Sequence, residues 1–175
     1  MFTTPEAAAD DFVSKVLEVP PNLGPFVGGD SRSGEIAVLS SDEGSGEPAV
    51  RSTLLLRQLG PSDGWFVIAA VGDPNVTIAK PVGGATVPAA PLTLEGLGRG
   101  YEATIIVKVF AAGASTPLIE PVIAMGGALE TPLPYSADVD LSRAAPGSTV
   151  LILVRGDTGL ETDPGEFSAI AVRIG

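Results

Sequence analysis

The chain has no cysteine and no histidine among its 175 residues. Without cysteine there is no disulfide framework, no thiolate zinc site and no thiol nucleophile, although this does not fix a compartment. Without histidine the side chain that titrates near neutrality, and the commonest transition-metal ligand, is missing. Ser-His-Asp catalysis, His-ligated zinc and a proximal-His haem are therefore excluded. Basic residues are also few, 10 Lys and Arg against 21 Asp and Glu, for a net charge of −11. The deficit is −7 over residues 1–73 and −4 over 74–175, and no basic cluster occurs in either part. A phosphate backbone is bound by cations that displace its counterions, so nucleic acid is not the expected partner. Anionic lipid is disfavoured for the same reason. No apolar run approaches the ~18 residues that suggest a membrane span.

What is abundant is glycine and proline, 22 and 16 residues, with a 45% apolar fraction. That mixture suits many short strands and turns better than long helices, and Val, Ile and Leu recur at strand spacing. One helix is expected, at the amino end. Thr3-Thr4-Pro5-Glu6 carries a cap, a first-turn proline and a capping-box glutamate. Ala9, Phe12, Val13, Val16 and Leu17 then form one apolar stripe, and Pro20-Pro21 ends it.

Strands are expected at 35–39, 50–59 and 65–71, the last apolar enough to be covered on both faces, with a turn at Gly60-Pro61-Ser62-Asp63-Gly64. Gly72-Asp73-Pro74 then marks a boundary. The domain plan is residues 1–73, a small helix-plus-antiparallel-meander module, and 74–175, a seven-stranded sandwich. The first is small for an independent core and should lean on the second. Strands of the second part are expected at 75–79, 92–97, 103–111, 118–124, 135–141, 149–155 and 166–174. Prolines 117, 121, 132 and 134 crowd two of these runs, which places them at sheet edges or bulges. The fold class is mainly β, with an α+β amino-terminal part.

Three segments of the second part carry a family resemblance. Ile78-x-x-Pro81-x-x-Gly84-Ala85-x-Val87, Pro91-Leu92-Thr93-Leu94-x-Gly96 and Gly100-Tyr101-Glu102-Ala103-Thr104-Ile105 resemble the opening of the bacterial spore-germination immunoglobulin-like domain, over about residues 75–175. That domain occurs in spore-germination proteins and in envelope lipoproteins and secreted proteins of actinobacteria. The resemblance implies an immunoglobulin-like β-sandwich, an extracytoplasmic setting in the cell envelope or secreted, and a binding or structural role without catalytic residues. The chain shows no signal peptide after Met1, which by itself fits either a cytoplasmic protein or one whose leader or lipid anchor lies upstream; the resemblance implies the second. Gly84 and Gly100 are expected to adopt backbone conformations that a Cβ resists. Tyr101 is expected to lay its ring over the sandwich end, its hydroxyl reaching a partner.

Candidate sites are weak by residue type. Asp138 and Asp140 share a strand face, and Asp157, Glu161, Asp163 and Glu166 sit in or beside one loop. Asp157, Asp163 and Glu166 are calcium candidates by their oxygen ligands, but no EF-hand spacing is present, and solvated loop acids are the expected reading. Gly28-Gly29-Asp30-Ser31-Arg32-Ser33-Gly34 lacks a P-loop ending and reads as an Asp-capped turn. Trp65 and Phe66 face opposite ways, so one belongs to a core and the other is free to line a groove for a sugar or peptide, although a strand buried on both faces is the expected reading; Trp65 and Tyr101 are the ligand-binding candidates. Arg51 and Arg57 are expected to pair with Glu35 across the meander. Ser14, Ser52 and Lys108 have no activating base that the sequence identifies. The functional expectation is therefore a non-enzymatic envelope module, without cofactor or metal, that binds a protein partner or a neutral glycan. The alternative is a small-ligand or carbohydrate-binding protein with its pocket at the junction of the two modules.

Overall fold

The computed structural model describes residues 1–41 and 47–175. Helix α1 spans Pro5–Phe12 and runs on as a π-helical turn over Val13–Leu17. Thr4 caps it, its hydroxyl accepting from the Ala7 N–H at 3.2 Å, and Pro5 stands where a missing N–H costs nothing. Ala9, Phe12, Val13, Val16 and Leu17 are all buried. The helix ends at Glu18, in the left-handed conformation, before the two prolines are reached.

Eleven strands follow: β1 (Val27–Gly28), β2 (Ser33–Leu39), β3 (Val50–Leu59), β4 (Gly64–Val71), β5 (Thr86–Val87), β6 (Pro91–Gly98), β7 (Thr104–Ala111), β8 (Val122–Met125), β9 (Leu133–Asp140), β10 (Thr149–Gly156) and β11 (Phe167–Ile174). The fold is mainly β, one short helix with antiparallel sheets in a sandwich arrangement. One sheet runs β1-β2-β3-β4-β11-β10-β7-β8, with β5 beside β11 in parallel, and a second consists of β6 and β9. Strand pairing therefore continues across Asp73-Pro74, because β4 pairs with β11 at Ala70 and Ala169.

Two cores lie on opposite faces of the large sheet. On one face the helix stripe packs with Ile36, Val38, Leu54, Leu56 and Trp65, and also with Phe110, Leu153, Phe167 and Ala169 from the second part. On the other, Val107, Val109, Ile152, Val154 and Val172 pack with Leu94, Tyr135 and Val139 of the β6–β9 layer. β10 and β11 are thus buried on both faces, as their apolar runs require.

Several expectations need correction. β4 is covered on one face only: Trp65 and Ala70 are buried, whereas Phe66 and Val71 are exposed. The small sheet reaches across β7, β10 and β11 but leaves the outer face of the meander bare. The expected strand at 75–79 is an irregular edge segment beside β6. The Thr77 N–H still donates to Leu97 O at 2.8 Å, yet the Leu97 N–H returns to the Thr77 hydroxyl, and Thr77 O accepts from the Tyr135 hydroxyl at 2.9 Å. Side-chain bonds have replaced part of the ladder. Burial raises the Tyr135 pKa, which keeps that donor protonated. It is Tyr135, not Tyr101, whose hydroxyl closes the sandwich. Gly84 does take a positive φ of 79°, but Gly100 is extended at −165°. Gly100 is needed for close approach, since a Cβ there would lie 2.3 Å from Thr104 O. The prolines behave as expected: β8 ends the large sheet, and β9 has β6 as its one strand neighbour among the described residues.

Candidate functional site

The seam between β4 and β11 is the feature from which candidate sites follow, and a β-bulge sits at each end of it. In β3 the register jumps between Val38 and Leu39, leaving Arg51 as the extra residue. In β4 it jumps opposite Leu55 and Leu56, leaving Ile68 extra. A bulge re-aims side chains and bends its strand.

At the first end the seam is sealed. Arg51 reaches across to Asp163 as a two-point pair, Nε to Oδ1 at 3.0 Å and a terminal nitrogen to Oδ2 at 2.8 Å. Glu166 accepts from Arg99 at 2.8 Å and lies 3.7 Å from Arg51. Asp163 is buried, 4% exposed, and also accepts from the Gly165 N–H at 2.8 Å. Burial alone raises its pKa, but the hydrogen bonds and charge of Arg51, with the Gly165 and Ser41 amides, outweigh that and hold it below the usual carboxylate range. Next to it the Ser52 hydroxyl bonds both the N–H and the C=O of Phe167, at 2.9 and 2.7 Å. The Ser168 hydroxyl links Gly72 N–H and Val76 O, at 2.9 and 2.6 Å.

These placements decide the fate of several candidates. Asp163 and Glu166 are brought together, but around guanidinium groups that already neutralise them. Asp157 is engaged elsewhere, in a turn where its carboxylate accepts from the Gly159 N–H at 3.0 Å. Among the described residues no three acidic side chains are gathered to hold a metal ion. Arg51 serves this network rather than Glu35, which the β2–β3 register places opposite Leu55, away from Arg51. Ser52 is a seam residue, Ser14 donates to Asp10 O at 2.7 Å, and Lys108 is paired with Glu18 at 2.5 Å. Asp138 and Asp140 do share an exposed face, where Thr93 donates to Asp138 at 2.6 Å and the Ser142 N–H to Asp140 at 2.9 Å.

At the second end β4 parts from β11, whose edge there is taken by residues 84–87, the Gly84 N–H donating to Ala171 O at 2.7 Å and the Arg173 N–H to Ala85 O at 2.9 Å. Beyond Ala70–Ala169 the two strands have no further paired residues, and a cleft of about 510 Å³ lies between them under α1. Its walls are mainly apolar, with Phe12 and Val16 from the helix, Phe66 and Ile68 from β4, and Phe110 and Leu151 from the second part. Ala111 at the end of β7 and the loop 112–115 after it form one lip. The cleft is thus at the junction of the two parts, but the two aromatic candidates do not line it. Trp65 is buried with Phe26 in an edge-to-face contact at 5.4 Å, and Tyr101 is half exposed, its ring over Gly159. Phe66 is the member of the Trp65-Phe66 pair left to line a groove once Trp65 is core, whereas Ile68 was missed because nothing in the sequence reveals a bulge.

A third feature is the free edge of β8. The Gly126 N–H donates to Ala103 O at 2.9 Å, so by the alternation of an antiparallel ladder Ile123 and Met125 turn their N–H and C=O groups away from β7. Their side chains are 60% and 64% exposed. The free edge of β9 differs: Pro134 lacks a donor there, and Asp138 and Asp140 add charge, the usual protections of an edge. No helix among the described residues is long and apolar enough to cross a membrane. No protein-family model, no curated protein and no solved structure matches this chain.

Proposed function

We propose that this chain is a non-enzymatic binding module of the cell envelope, exported or lipid-anchored through a segment upstream of Met1, whose immunoglobulin-like sandwich takes an extended segment of a partner protein onto the edge of β8. The observation that carries this reading is the contrast of the two free edges. β9 is defended by Pro134, Asp138 and Asp140, whereas β8 offers unpaired backbone groups at Ile123 and Met125 beside exposed apolar side chains. Strand addition draws affinity from such main-chain groups and selectivity from alternate side chains. Pro121 before the strand and Gly126-Gly127 after it limit pairing to a short stretch, which suits a selected partner rather than open-ended aggregation. With a net charge of −11 the partner segment is neutral or basic.

The candidate nucleophiles Ser14, Ser52 and Lys108 are engaged in structural bonds, which supports the non-enzymatic part. The resemblance of residues 75–175 to the spore-germination immunoglobulin-like domain supports the envelope. Two measurements test the reading. The native amino-terminal region fused to a reporter active only after export should give signal, and a silent reporter on an accumulated fusion refutes the envelope. Ile123→Pro should abolish capture of the partner while leaving the melting temperature nearly unchanged, since that N–H faces away from β7; undiminished capture refutes the edge. A second reading, a small ligand held at the junction of the two parts, is favoured by the cleft under α1.

A further inference from the structure

We infer that the cleft under α1 is a seat for a single-chain amphiphile with an uncharged head, its alkyl chain lying between β4 and β11 and its head at the lip formed by residues 111–115. This rests on the second reading above, a small ligand at the junction, and assigns that ligand its chemistry.

Size is the first argument. A volume of about 510 Å³ falls within the range of small-molecule sites and is too small for a folded partner. Shape is the second. The cleft has walls from three separate elements, α1, β4 and the β7–β10 end of the sandwich, so it is a groove between supports and not a flat patch. Its walls carry Phe12, Val16, Ile68, Phe110 and Leu151, with no ionisable group among them. A sugar or a peptide backbone laid there would lose its water without gaining hydrogen bonds, which is costly. An alkyl chain loses nothing and gains about 0.8 kcal/mol for each methylene buried.

Charge at the mouth is the third argument. The ionisable side chains of the lining are those of Asp11 and Lys15, one helical turn apart and paired with each other. The remaining polar contributors are the hydroxyls of Ser115 and Thr149. The side chains at the mouth therefore carry no net charge. A carboxylate or phosphate head finds no unpaired cationic side chain there and meets the field of a protein at −11. A quaternary ammonium head finds no free carboxylate. An alcohol, ester or glycoside head fits the hydroxyls.

The probe is N-phenyl-1-naphthylamine, a neutral apolar fluorophore, with the full chain. Its fluorescence should rise on binding and fall when monolauroylglycerol is added below its aggregation point. Laurate and dodecyltrimethylammonium should each need about tenfold more for the same displacement. Ile68→Trp, which fills the groove, and Ser115→Trp, which crowds the lip from an exposed loop, should each weaken the probe about tenfold or more. Ile123→Ser, on the far edge, should leave it unchanged. Because Ile68→Trp risks the fold, Ser115→Trp decides if the former melts early. Probe binding that both tryptophan variants block, but that laurate or the ammonium displaces as well as the glyceride does, overturns the head-group assignment and leaves the site standing. Absent probe binding, or binding indifferent to both variants, overturns site and ligand together. Light scattering on the same samples covers a further occupant: a dimer that Ser115→Trp dissociates makes the cleft a contact between copies and refutes the inference.

Discussion

The two ends of the β4–β11 seam start from the same device and finish differently. Each carries one extra residue in one strand, Arg51 at one end and Ile68 at the other. At the Arg51 end the re-aimed side chain meets Asp163, while Ser52 ties β3 to β11 and Ser168 ties β11 to Gly72 and Val76 just past β4. At the Ile68 end the re-aimed side chain meets no partner across the gap, and a cleft remains. The lesson is that a bulge does not itself make a site. What the displaced side chain is, and whether the facing strand answers it, decides between a latch and a pocket. Stability should be concentrated at the latched end and binding at the open one.

The largest effect should come from breaking the latch. Arg51→Ala leaves the buried Asp163 carboxylate without its guanidinium, a situation that costs about 3 kcal/mol. Arg32→Ala, which breaks the exposed pair with Asp63, should cost less than about 1 kcal/mol. Urea unfolding of both variants checks this, and equal losses would mean that burial does not distinguish the two pairs. Next in size is Ser52→Ala. It strips the Phe167 N–H and C=O of their shared partner in a buried setting, which should cost about 2 kcal/mol. If that loss is negligible, the latch is Arg51 alone.

Acid should attack the same end. The folded-state pKa of Asp163 is depressed, so its stabilising contribution is complete above the ordinary carboxylate value of about 4 and is lost as pH falls through the folded value. Thermal melts from pH 7 downward should therefore steepen below about pH 4. Asp163→Asn should be less stable at neutral pH and should flatten that part of the profile, because the surface acids whose pKa values are also lowered, Asp30 and Asp140, remain in both proteins. An unchanged slope in the variant would remove Asp163 from the acid response.

How much of this the sequence could show follows from periodicity. Ala9 to Leu17, Val150 to Val154 and Ser168 to Ile174 announce their elements because their apolar spacing is set by the face they bury. The turn at Asp30 was also readable, since Asp at that position bonds the Arg32 N–H, here at 2.7 Å. The seam was not readable. A bulge breaks the period by one residue without changing composition, so neither Arg51 nor Ile68 stands out. The pairing of Arg51 with Asp163, 112 residues away, is fixed by sheet order, and the order β4-β11 follows from no local pattern. The short strands β1 and β5, two residues each, leave no periodic trace. Trp65 and Tyr101 drew attention as large aromatics, but their roles depend on which layer covers them. The meander's inner face is roofed by the helix, which buries Trp65, while the end of the sandwich leaves Tyr101 uncovered.

The smallest expected effect is at the open end, and it is the sharpest check on the comparison. Leu59 lies on the cleft wall at the end of β3 and is 43% exposed. Truncation at a half-exposed site opens no closed cavity, because water already reaches the space, so the cavity cost that accompanies buried deletions is absent. Leu59→Ala should therefore change stability by no more than about 0.5 kcal/mol. Paired with Ser52→Ala in one unfolding series, it sets the removal of three apolar carbons against the removal of one hydroxyl. If the seam is divided as described, the hydroxyl matters several times more. A Leu59 loss above about 1 kcal/mol would mean that the cleft wall is packed as a core is packed. The open end would then contribute to stability like the latched one, and the division of labour between them would fail.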